Sequence, residues 1–328
     1  MRLIKLFLMF ALLGQLFSCS DADSPTGSFS IRTTNTVVHY PEDNTYDSNK
    51  VALGQRLFFD KRLSKNKNIA CASCHKPELA FADSAKISVG TNGDFGFRNA
   101  PSIINAAFKP YLHTDAGIEN LELQSLAPLT DPQEMANNYY SVLELFNSDS
   151  EYVSLFKIAF DSTPTIYGFT RALANFERTL IQFNSKYDDF LNGDSNSLTS
   201  SQKRGLTLFE SERLNCTECH SGKLLSDFSI HNIGLEFHSL DSGRARITGL
   251  AEDRNKFVTP SLRNIKLTAP YMHNGSVTSL TELLTLLETG GHDFPNKSEE
   301  IKSFKLSAQE RVDLLHFFEA LTDEQLKN

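Results

Sequence analysis

Two pentapeptides constrain this chain more than any other feature: Cys71-Ala72-Ser73-Cys74-His75 and Cys216-Thr217-Glu218-Cys219-His220. In each, two thiols can add to the vinyl groups of one haem, and the histidine that follows can bind its iron from one side. A Cys₄ zinc cage could also use two Cys-x-x-Cys pairs, but it needs no histidine directly after either pair. Histidine is 9 of 328 residues, so two such histidines by chance is about a one in a thousand event. Disulfides within the pairs would leave the histidines unexplained as well. The spacing therefore implies two covalently attached c-type haems, with Cys71, Cys74, His75, Cys216, Cys219 and His220 as their attachment residues.

The remaining cysteine fits the same picture. Arg2 and Lys5 precede an apolar run from Leu6 to Phe17, the pattern of an export signal. That run is too short for a spanning helix. Leu16-Phe17-Ser18-Cys19 has the form of a lipobox, so residues 1–19 read as a signal with Cys19 as a lipid anchor; secretory cleavage without lipidation is the alternative. Residues 20–48 are rich in Ser, Thr, Asn and Asp and read as a polar tether. The expectation is an exported, periplasmic, membrane-tethered protein. The rest, about 280 residues, suits two domains, taken as 49–192 and 193–328. A net charge of −8 argues against nucleic-acid binding and suits a basic partner.

A weak internal repeat precedes the two motifs. Gly54-Gln55-Arg56-Leu57-Phe58 and Gly205-Leu206-Thr207-Leu208-Phe209 share Gly-x-x-Leu-Phe, which suggests two related units. Helix signals dominate elsewhere. Ala172, Leu173, Phe176, Leu180 and Phe183 keep one face apolar through 170–183. Ser279 with Glu282, and Ser307 with Glu310, are capping boxes. The first opens a helix with Leu280, Leu283, Leu284 and Leu287 on one stripe, and the second a helix with Val312, Leu315 and Phe318. Gly90, Gly93 and Gly96 make 90–101 a loop, and 192–200 reads as a linker. The fold class is mainly α: two cytochrome c-like haem domains packed against each other.

Several longer runs carry a family resemblance. They include Leu57-Phe58-Phe59-Asp60-Lys61-Arg62-Leu63-Ser64, Arg98-Asn99-Ala100-Pro101-Ser102, Leu121-Glu122-Leu123-Gln124 and Asp131-Pro132-Gln133-Glu134-Met135. Ala174-Asn175-Phe176-Glu177-Arg178-Thr179-Leu180, Thr259-Pro260-Ser261-Leu262-Arg263-Asn264 and Leu267-Thr268-Ala269-Pro270-Tyr271-Met272-His273-Asn274-Gly275-Ser276 extend it. With the haem motifs, they make the chain resemble the bacterial di-haem cytochrome c peroxidases, including their MauG-like branch. The resemblance implies that the haem on His75 is the peroxide site, with Glu134 as catalytic acid/base and Gln124 as positioner. It implies that the haem on His220 receives and stores electrons. It also implies a calcium ion held by Asn99 and the carbonyls of Thr268 and Pro270. Hydrogen peroxide would be reduced with electrons from a small donor protein, a cytochrome c or a cupredoxin; oligomeric state is left open, although homodimers are common among such relatives.

The chain departs from that pattern in three places. The family's inter-haem tryptophan aligns with Thr114, and the chain has no tryptophan; Tyr111 or His113 are substitutes within reach in sequence. The sixth ligand of the C-terminal haem aligns with Leu287, which cannot bind iron, leaving Met272, His273 and His292 as candidates. The distal histidine that blocks the peroxide haem in many relatives aligns with Thr91, so an open haem needing no reductive activation is expected. His231 is expected to pack or hydrogen-bond near the second haem. His39, His238 and His316 read as structural or exposed. Two other functions compete with peroxide reduction: a MauG-like oxidase of a partner protein, and a non-enzymatic di-haem electron carrier.

Overall fold

The computed structural model describes residues 37–235 and 241–326; the export signal, Cys19, residues 20–36 of the tether and His238 lie outside them. Helices α1 (Ser48–Phe58), α2 (Cys71–Cys74), α3 (Leu121–Gln124), α4 (Leu126–Thr130), α5 (Tyr139–Ser148), α6 (Ser150–Phe160) and α7 (Ile166–Glu177) build the N-terminal half. The C-terminal half carries α8 (Lys186–Leu191), α9 (Ser200–Phe209), α10 (Ala245–Thr248), α11 (Leu280–Leu287) and α12 (Ala308–Ala320). Strand structure among the described residues is one antiparallel pair, β1 (Ile230–His231) with β2 (Phe257–Val258). No helix among the described residues is long and apolar enough to cross a membrane.

Each half has its own apolar core. The first gathers Leu53, Leu57 and Phe58 of α1 with Phe146, Tyr152, Phe156 and Phe169 from α5, α6 and α7. The second gathers Leu206 and Phe209 of α9 with Leu284 of α11 and Leu314, Phe317 and Phe318 of α12. Each such side chain, fully buried, contributes roughly 1.5–3 kcal/mol. Tyr187 is in the second core and Phe190 packs against it, so the change of core falls before the polar segment 192–200.

The glycines of the short sequence repeat have one role in both halves. A Cβ on Gly54 would lie 2.0 Å from the carbonyl oxygen of Ala172, and one on Gly205 would lie 2.1 Å from that of Asp313. Only glycine lets α1 meet α7, and α9 meet α12, backbone to backbone. The repeat continues where sequence identity is thin. Asn105 and Asn264 both take left-handed backbone angles before a single 3₁₀ turn, which ends at Lys109 in one half and Thr268 in the other. Hairpins follow, with Leu112 paired to Ile118 and Tyr271 paired to Val277. Asn120 then caps α3, and Ser279 caps α11.

Three helix expectations need correction. Ser279 caps α11 by accepting the Glu282 amide, but the Glu282 carboxylate turns to the amide and hydroxyl of Thr278, so the capping box expected there is not closed. The helix expected over 170–183 ends at Glu177, because the chain turns to place the Leu180 carbonyl on the Asn105 amide. Leu180 and Phe183 are buried all the same. In α12, Val312 is 43% exposed. The buried stripe is Leu314, Phe317, Phe318 and Leu321, the i, i+3, i+4, i+7 spacing of one helix face.

A charged knot joins the halves. Arg98 forks onto Asp241 at 2.7 and 2.9 Å and reaches Asp115 at 2.6 Å. Arg244 donates to the carbonyls of Asp115 and Ala116. Asp115 and Asp241 are both buried; buried carboxylates persist only when paired in this way.

Candidate active site

Each Cys-x-x-Cys-His run sits on a single tight turn: α2 in the first half and a 3₁₀ turn, Cys216–Glu218, in the second. The amide of His75 bonds the Cys71 carbonyl, and that of His220 the Cys216 carbonyl, both at 2.9 Å. Nδ1 of His75 lies 3.1 Å from the carbonyl oxygens of Phe81 and Pro101. Nδ1 of His220 lies 3.1 Å from that of Leu225. Carbonyls only accept, so in both rings Nδ1 carries the proton and Nε2 keeps its lone pair for a metal. Burial holds both imidazoles below their ordinary pKa, hence neutral.

All four thiols are free, and among the described residues the two pairs are not brought into one cluster. A Cys₄ zinc cage is therefore excluded by geometry. Burial also pushes Cys71 and Cys216 up to about 12, far from the thiolate that zinc requires. The donor set in each half, two neutral thiols beside a neutral imidazole with a fixed tautomer, fits covalent haem with an axial histidine.

Of the polar groups expected at the peroxide site, Glu134 bears on the first motif, since its charge acts on both thiols there. Glu134 is accessible to solvent yet ringed by protein. Desolvation, with the Asp131 carboxylate adding to it, raises its carboxyl to about 7. Its charge bears on Cys71 and Cys74, raising both. Its carboxyl makes no hydrogen bond to any described residue. Gln124, the last residue of α3, is half-buried.

Thr91 lies on the same segment as expected, but its side chain is occupied. Its hydroxyl donates to Asn68 at 2.6 Å, and its amide bonds the Glu134 carbonyl at 2.8 Å. The neighbouring Gly90 is pressed on Gln133, where a Cβ would lie 2.1 Å from the carbonyl oxygen.

Other sequence candidates fall at different places. Thr114 is fixed between the halves by the Val258 amide, 2.8 Å from its carbonyl, and its buried hydroxyl finds no partner among the described residues. Tyr111 is 43% exposed and His113 half-buried. His273 stacks on Phe257 with centroids 3.8 Å apart, and its side chain is 5% exposed. It is therefore engaged at the interface. Met272 is half-buried with positive φ, His292 is exposed, and Leu287, the last residue of α11, is half-buried. His231 bonds Asp227 at 2.9 Å and Ser298 at 3.0 Å. His39 is exposed, and His316, also exposed, meets Ser201. The Asn99 amide bonds the His273 carbonyl, which brings Asn99 beside the segment carrying Thr268 and Pro270.

Sequence reasoning missed three features. Glu122 on α3 is clamped by Arg178 at 2.5 and 3.0 Å and by Asn44 at 2.7 Å, which fixes the helix carrying Gln124. Glu177, 6% exposed, has no hydrogen-bond partner for its carboxyl among the described residues, and burial raises it to about 8. The third is the Phe257–His273 stack. Glu177 and Arg178 lie within a run that the sequence does single out, but nothing there distinguishes a buried carboxyl from a solvated one.

Fold and donor sets together define a mainly helical c-type cytochrome with two haem centres. Comparison with known proteins narrows this. The family described as di-haem cytochrome c peroxidase matches residues 48–196, and a RoxA-like, cytochrome c-like family matches 256–288. The cytochrome-c peroxidase IdrP1 of Pseudomonas sp. (strain SCT) is 37% identical over 87% of this chain and 84% of its own. The methylamine utilization protein MauG of Methylorubrum extorquens is 36% identical over 88% of this chain and 82% of its own. The crystal structure of a MauG-like protein associated with microbial copper homeostasis superposes with a TM-score of 0.85 at 34% identity, over 91% of this chain and 96% of that one. The chain belongs to the di-haem cytochrome c peroxidase family, which includes MauG-like members, and is an oxidoreductase of that type with two haem c groups.

Proposed function

We propose that this protein reduces hydrogen peroxide to two waters, using two protons and two electrons delivered by a small redox protein in the periplasm. The haems, when bound, supply the iron that takes up peroxide and the electrons that split it. The residues supply proton handling. Heterolysis needs a proton moved from one peroxide oxygen to the other. The Glu134 carboxylate accepts it from the first oxygen and returns it to the second, the departing one. A group with a pKa near 7 serves both halves of that relay at neutral pH. The Gln124 amide holds peroxide by donating and accepting hydrogen bonds.

The observation that carries this reading is Glu134, a solvent-accessible carboxyl with no hydrogen-bond partner among the described residues, whose backbone carbonyl receives the Thr91 amide and whose pKa desolvation raises to about 7. An electron carrier would have no use for it. Thr91 offers no imidazole, and its hydroxyl is committed to Asn68, so this segment would supply no second ligand to a haem held by His75 and no reductive activation is expected. A haem held by Cys216, Cys219 and His220 would supply the passing or storing of electrons. Asn99 and the Thr268 and Pro270 carbonyls would hold a calcium ion, and Cys19 would anchor the chain to a membrane.

Stopped-flow absorbance of the all-ferric holoprotein with hydrogen peroxide tests the reading. A rapid change of the high-spin Soret band, reversed by reduced cytochrome c, is expected. No change before one haem is reduced would refute the open site, and no change in either state would favour the carrier.

A further inference from the structure

Among the described residues, Lys109 is a cation without an anion. It ends the 3₁₀ turn that follows Asn105. Its ammonium donates one hydrogen bond, 3.3 Å long, to the Ser102 carbonyl. Ser102 directly follows Pro101, whose carbonyl faces Nδ1 of His75, and the lysine's charge depresses the His75 pKa. Surrounding protein pushes Lys109 itself down to about 8, with desolvation as its cause and no carboxylate opposing it. At pH 7 the group is still mainly protonated. An ammonium has three donors. Lys109 is half-buried, so protein crowds the two remaining donors without pairing them, and an anion would complete the site. No carboxylate of a described residue lies within ion-pair distance.

The C-terminal half supplies a control within the same molecule. There the same turn, after Asn264, ends at the neutral Thr268. The nearby Lys266 is surface-exposed and spent on Glu319. The backbone device is shared, and the half-buried, carboxylate-free ammonium is present in one half only.

A haem c brings two carboxylates with it, its propionates, and His75 fixes one such cofactor beside Lys109. We propose that Lys109 is a cofactor-anchoring residue whose ammonium pairs with a haem propionate in the N-terminal half and holds that haem at a higher reduction potential than a neutral residue would. A fixed positive charge near the iron favours the ferrous state, which carries one positive charge fewer. The proposal rests on the assignment of two haems and not on peroxide turnover.

Spectroelectrochemical titration of the purified holoprotein tests it, together with resonance Raman spectra of the propionate bending bands. For Lys109→Met, the ferric-to-ferrous ratio of the N-terminal haem at fixed poise is expected to rise about ten-fold, equivalent to about 59 mV for one electron. The propionate band should shift with it, and the C-terminal haem should stay within about two-fold. Lys109→Arg keeps the charge and should stay within about three-fold of the parent. An unchanged ratio and band in Lys109→Met would overturn the proposal. So would an equal shift in Lys109→Arg, which would assign the effect to packing. If Lys109→Met does not accumulate as holoprotein, Lys109→Gln, neutral but still able to hydrogen-bond, carries the same two readouts.

Discussion

The two halves share a scaffold and differ in what faces their haem sites. Both use a glycine crossing, a left-handed asparagine, a hairpin and a capped helix in the same order. Counting from the caps Asn120 and Ser279, Gln124 in the N-terminal half corresponds to Leu283 in the C-terminal half. The first half then inserts the segment bearing Glu134, while the second continues α11 to Leu287. One half thus offers an amide and a carboxyl near neutrality, and the other offers leucines. The proposed division between chemistry and electron storage draws on this difference in side chains on a common backbone.

The largest test of this contrast is Glu134→Gln. Turnover should fall by about 10²- to 10⁴-fold with haem content unchanged, whereas Leu283→Gln in the other half should cost less than about ten-fold. Because the Glu134 carboxylate starts the relay and its pKa is raised to about 7, kcat/KM in the parent should rise with pH through that value. The residual rate of Glu134→Gln should lack this limb. Equal losses in both halves would break the comparison.

Next in size is Arg98→Met at the junction. It strands the buried Asp115 and Asp241 carboxylates and should destabilise the protein by about 3–5 kcal/mol, as read from chemical denaturation. Arg56→Met, which removes an exposed pair with Glu151, should stay within about 1 kcal/mol. Smaller effects are expected from Gly54→Ala and Gly205→Ala, about 1–3 kcal/mol each through overpacking. Markedly unequal values would show that the two crossings are not the same device. Leu287→Met should change turnover least, by less than about ten-fold. It should nevertheless bring a low-spin signal and a raised potential to the C-terminal haem, and absorbance spectra that match the parent's would rule out that face of α11 as the axial position.

Much of this was legible before any coordinates. The two pentapeptides determine cofactor type and number, because thiol addition and axial ligation need those residues in one turn. The Gly-x-x-Leu-Phe repeat marked the glycines at the two close helix crossings, and the Ser307–Glu310 capping box formed as read. What lay beyond local pattern was not legible. The helical stripe through 170–183 could not reveal that the chain leaves the helix at Glu177, since Leu180 is buried by contacts made after the turn. Val312 looked apolar and inward, but the register of α12 against α9 turned it out.

The deeper repeat, from Pro101 to Gln124 and Pro260 to Leu283, escaped notice because backbone shape is kept by Pro-Ser and one asparagine while the other side chains diverge. By itself, the sequence determined chemistry that depends on spacing along the chain. Only the tertiary structure decided which groups lose water and which partners they meet. That is why Glu134 near pKa 7, Arg98 between two aspartates and Lys109 beside His75 became visible only in three dimensions: desolvation and pairing depend on neighbours that are distant in sequence.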